Sequence, residues 1–155
     1  MIMTIFMTYL KETKLQRITR KALALAPRGG VRHDVLVINQ LSNNPVQQLR
    51  IEWCARDVHP WDQDLPPLDQ AELFCQQALH DTEAAILRLF QMLPGIHQVD
   101  FRVLDPKASN RVILAGNVER DEIPAARRLQ SIKMRLMMMG VRFLMAGGHL
   151  EPLAA

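Results

Sequence analysis

Between Asp69 and Leu93, residues Ala71, Cys75, Ala78, Leu79, Thr82, Ile86, Leu89, Phe90 and Leu93 recur at three- and four-residue steps. That spacing predicts one long amphipathic helix over about 69–93. Asp69 is a residue type suited to capping its start, and Pro94-Gly95 ends it. A helix with a single apolar stripe must bury that stripe against another element. The segments on either side supply strands. HDVLVINQL (33–41) and VQQLRIEWCA (46–55), joined by SNNP, read as a hairpin. HQVDFRVLD (97–105) and NRVILAGNV (110–118), around PKAS, read as a second.

Residues 11–26 predict a further helix. Leu15, Ile18, Ala22, Leu25 and Ala26 lie on one face, Lys14, Arg17, Arg20 and Lys21 lie opposite, and Pro27, Gly29 and Gly30 stop it. A third helix is expected over 122–139, with Pro124 in its first turn and Gly140 as C-cap, followed by a strand VRFLMAG at 141–147. The order α-ββ-α-ββ-α-β argues for an α+β fold, a mostly antiparallel sheet with helices packed on it. At 155 residues one domain is the simplest organisation, and folding buries about 70% of the unfolded surface, so no disulfide or metal is needed to complete a core. The opening MIMTIFMTYL is too short to span a bilayer and lacks the charge order of a signal peptide, and Met7 is a second candidate start. With two cysteines and no export signal, a reducing cytoplasm is the expected setting.

The segment 110–118, NRVILAGNV, together with Gly140-Val141 after a helix, resembles the BON domain. That family has the order αββαβ and a strand of the type GVVTLSGTV. Val112, Leu114, Gly116 and Val118 stand at matching places, whereas Asn110 replaces the first glycine. The resemblance covers roughly 72–150, about half the chain. It implies binding to phospholipid or to a protein partner rather than catalysis. Its members are often exported, which the opening residues here do not suggest.

Charge is distributed in blocks. Residues 1–35 carry net +5, residues 36–105 net −6 and residues 106–155 net +4. Lys14, Arg17, Arg20, Lys21, Arg28 and Arg32 form a basic run suited to phosphate contact, so nucleic acid is a candidate anionic partner. The chain is 5% aromatic and only Tyr9 is near this run, so stacking readout of single strands lacks its usual parts.

The third helix carries two apolar faces. Ala125, Leu129, Ile132, Leu136 and Met139 form the expected core face, and Ile123, Ala126, Met134, Met137 and Met138 fall nearly opposite. One sheet covers one face, so the other needs the first helix, the tail at Leu153, or another protein. Methionine is adaptable and over-used at binding surfaces. Ile123, Arg128, Met134, Arg135, Met137 and Met138 are therefore the candidate interface, with the two arginines placed to meet acids of a protein partner or a second copy.

Other chemistry finds less support. Asp57, His59, Asp62 and Asp64 sit within eight residues and offer oxygen and imidazole ligands for a metal-dependent hydrolase, without a defined motif. Cys54/His59 and Cys75/His80 mimic zinc spacings, but on a helix residues five apart diverge by about 140°, so Cys75 faces the core and His80 solvent. PRGGVR follows a helix rather than opening one, and no Gly-x-Ser-x-Gly occurs. No cofactor motif is present. Trp53 is expected in the core, and Trp61 over a sheet edge or against a partner.

Overall fold

The computed structural model of the chain describes residues 48–154 and Arg17. Within them a strand β1 (Gln48–Cys54) leads through a 3₁₀ turn (Pro60–Asp62) to a long helix α1 (Pro67–Met92). A hairpin of β2 (Gln98–Asp105) and β3 (Ala108–Glu119) follows. Two short helices come next, α2 (Ile123–Ala126) and α3 (Ile132–Met138). The short strands β4 (Val141–Arg142), β5 (Leu144–Ala146) and β6 (His149–Glu151) close the chain. The fold is α+β. The main sheet has the order β1-β2-β3-β4, and β5 and β6 form a separate two-stranded ribbon. Among the described residues only β1 and β2 run parallel, and the other pairings are antiparallel. The hairpin expected between 33–41 and 46–55 has its first strand outside the described residues. The second strand, β1, joins β2 in parallel, with α1 as the crossover that such a pair requires.

Period-two alternation sets the core. Leu49, Ile51 and Trp53 point inward from β1, and Val99, Phe101 and Val103 from β2. The register aligns them in rows: Leu49, Val99 and Val118; Ile51, Phe101 and Gly116; Trp53, Val103 and Leu114. Trp53 and Phe101 stack with centroids 5.2 Å apart. Gly116 makes room for this. A Cβ there would meet the Gly140 carbonyl oxygen and Val141 Cα at 3.0 Å and the Phe101 ring at 3.1 Å. Glycine in a strand interior marks such a close approach. Onto this face α1 lays Cys75, Ala78, Leu79, Ala85, Ile86, Leu89 and Phe90. The opposite face of the sheet is polar, with Arg50 bonded to Asp100 at 2.9 Å.

Three arginines tie α1 to its surroundings. Arg56, just after β1, grips Asp81 through both Nε and Nη2. Arg120, after β3, donates to the carbonyls of Phe90, Leu93 and Ile96 at 2.7–3.0 Å and lies over the Phe90 ring. It thereby supplies a cation and donors to a helix end that has no basic residue in its own last turn. Arg135 makes the third tie, with Glu83. The helix itself begins at Pro67, so Asp69 sits in its first turn and favours the positive dipole end instead of capping it.

The third helix differs from expectation. It is not continuous over 122–139 but breaks between Ala126 and Ile132. Ser131, extended at ψ 127°, opens α3. The Arg135 side chain folds back to donate to the carbonyls of Leu129 (3.1 Å) and Gln130 (2.6 Å), which holds the break. A single helical wheel therefore does not describe both halves. Ala126 is buried and Ala125 exposed, the reverse of the expected faces. The strand expected at 141–147 also divides. Phe143 separates β4 from β5, and β5 turns through Gly147 and Gly148, both at positive φ (55° and 84°), into β6. Two consecutive positive-φ residues are the geometry of a tight hairpin.

Candidate association surface

In α3, Leu136 and the following Met139 point into the core with 0% exposure, and Ile132 packs beside them. Met134, Met137 and Met138, at i, i+3 and i+4, share the other side. They are 55%, 64% and 52% exposed. Leu153 approaches but does not cover them. Its N–H donates to the Val112 carbonyl at 2.8 Å, which places the tail beside β3, and it lines an open concavity with Met137, Val112, Phe143, Leu144 and Arg142. Leu144, 54% exposed, extends the apolar surface from α3 onto β5. From Ile123 to Leu150 the chain has five basic residues and no acid. Of the five, Arg127, Arg128, Lys133 and Arg142 are exposed.

Arg135 is directed differently from the rest of the candidate interface. Its Nε and Nη2 donate to the two carboxylate oxygens of Glu83 at 2.6 and 2.9 Å, so its charge is met within the chain. Its hydrogen bond to the Glu83 carboxylate holds the guanidinium pKa above its ordinary value. Ile123 is half-buried against the core, so it contributes to packing more than to the surface. Arg128 stands exposed.

A second exposed apolar group lies on the acidic loop before α1. Trp61 is 86% exposed, Leu68 59% and Leu65 39%. Trp61 therefore covers no sheet edge. The loop is held by the Trp61 N–H on His59 Nδ1 (3.3 Å) and by Gln70 Nε2 on the carbonyls of Gln63 and Leu65, both at 2.7 Å. Asp57 accepts from the Val58 N–H and His59 from Trp61, so both are occupied with the local backbone. Among the described residues no group of three or more His, Cys, Asp or Glu is gathered to hold a metal, and Asp57, His59, Asp62 and Asp64 form no such site.

Of the basic run, Arg17 is helical and exposed. Lys14, Arg20, Lys21, Arg28 and Arg32 lie outside the described residues. Cys75 is buried and His80 exposed, which separates that pair. Burial pushes the Cys75 thiol up, and its Sγ lies 3.9 Å from Met145 Sδ. Among the described residues no helix is long and apolar enough to cross a membrane. No family model matches the chain, and no curated protein or solved structure is significantly similar to it.

The Arg135–Glu83 pair fixes how α3 presents its methionines, and both side chains are less than one-fifth exposed. Arg135→Met is expected to cost about 3 kcal/mol, because the largely buried Glu83 carboxylate is left without its partner. Replacing both by methionine should recover part of that loss. Urea unfolding checks this, and an Arg135→Met midpoint equal to wild type would contradict it.

Proposed function

We propose that this chain is a non-enzymatic binding and assembly module. It docks onto a protein partner, or onto a second copy of itself, through the methionine face of α3. The observation that carries the reading is the joint exposure of Met134, Met137 and Met138 on one side of a helix whose other side packs Ile132 and the fully buried Leu136 against the core. Contiguous exposed apolar surface on a folded chain marks interaction sites, and three flexible thioethers adapt to an apolar partner. In this reading the basic run from Lys14 to Arg32 faces an anionic partner such as nucleic acid, and the exposed, helical Arg17 supports that role. Two cysteines in 155 residues fit a reducing compartment. The resemblance of residues 110–118 and Gly140-Val141 to the BON domain is the ground in this reading for partner binding over catalysis.

Methionine footprinting tests the first part. In cells, oxidation of Met134, Met137 and Met138 is expected to run several-fold slower than in the dilute purified chain. Equal rates in both settings would overturn the docking role. A salt series with random duplex DNA tests the second part. Affinity of the full chain should fall linearly in log–log terms as salt rises. Absent binding at low salt, or binding indifferent to salt, would remove the nucleic-acid role.

A further inference from the structure

The two exposed apolar groups carry opposite charge. The loop and first turn from Asp57 to Glu72 contain five acids and no Lys or Arg, around Trp61, Leu65 and Leu68. Met137 and Leu144 line an open groove with Arg111 and Arg142, and Met134 and Met138 stand exposed on the same side of α3; from Ile123 to Leu150 the chain carries five Lys/Arg and no acid. Both groups are open in the same folded chain, so they do not cover one another within it. We propose that the acidic Trp61 loop of one copy docks into the methionine groove of a second copy. This rests on the reading of α3 as a docking face and names its occupant.

Three considerations favour this occupant. A groove-on-groove contact would bring two surfaces lined by Arg111 and Arg142 together, and like charges across an interface are costly. The N-terminal 35 residues carry net +5 and would be repelled by the same rim. The Trp61 loop instead brings negative charge to a positive rim and an aromatic anchor to a deformable apolar floor. Pro60, Pro66 and Pro67, with the hydrogen bonds from Trp61 and Gln70, hold the loop in shape before contact, so little order is lost on docking. The contact is heterologous in its surfaces. Two copies satisfy it reciprocally, and more copies satisfy it in a ring or row.

The test uses two surface variants of the full chain, Trp61→Asp/Leu68→Asp for the loop and Met134→Glu/Met137→Glu for the groove, each checked for a native melting transition. In sedimentation at high micromolar concentration, wild type should exceed the mass of one copy. Each variant alone should associate at least about tenfold more weakly. An equimolar mixture should form a one-to-one complex, because one variant keeps its groove and the other its loop. The proposal is overturned if the mixture stays monomeric, if the loop variant assembles like wild type while the groove variant does not, or if wild type is itself a monomer. A monomeric wild type whose methionines are nonetheless protected in cells would remove this contact and leave the docking role with another partner.

Discussion

The doubly bonded pair of Arg135 and Glu83 determines what the surface of this protein looks like. It joins α3 to the middle of α1, and the same guanidinium holds the carbonyls of Leu129 and Gln130. Leu136 and Met139 are then directed inward, and Met134, Met137 and Met138 outward. A continuous helix from 122 to 139 would have distributed its apolar residues over two faces. The break collects Ala126, Leu136 and Met139 into the core and concentrates the exposed apolar area on one short helix.

Arg135 is one of three arginines that anchor α1 at separate points along its length, with Arg56 on Asp81 and Arg120 on the terminal carbonyls. Each tie is charge-assisted and partly shielded from water, where such bonds are strongest. The apolar stripe of α1 supplies most of the burial. The arginines fix its direction over the sheet, and with it the places where the Trp61 loop and the methionine face emerge.

Much of this was legible in the sequence, for identifiable reasons. The stripe from Cys75 to Leu93 and the alternation in β1, β2 and β3 are dictated by burial on one side, so periodicity reports them directly. The burial of Trp53 and Cys75 follows from the same rule, whereas the helical wheel leaves open what covers Met134, Met137 and Met138. The parallel pairing of β1 with β2 was not legible, because alternation records which face is buried and not which strand lies alongside. The break in the third helix was not legible because periodicity does not record the Arg135 side chain turning back onto the carbonyls of Leu129 and Gln130, nor the Glu83 carboxylate 52 residues away that Arg135 also meets. Ser131, a residue type favoured at helix starts, was its one local sign. The β5–β6 ribbon did have a signal in Gly147-Gly148, and Leu144 of β5 lines one concavity with Met137. Leu65 and Leu68 looked like ordinary loop residues. Their exposure matters only beside Trp61.

A solitary chain with an uncovered methionine face is the claim on which both the docking role and the loop-into-groove contact depend. It is tested most directly by NMR of methionine methyl groups with a soluble paramagnetic probe, at a dilution where one copy sediments alone. Strong broadening of the exposed Met134, Met137 and Met138 methyls is expected, with little effect on the buried Met139. Equal shielding of all four in the solitary chain would contradict it.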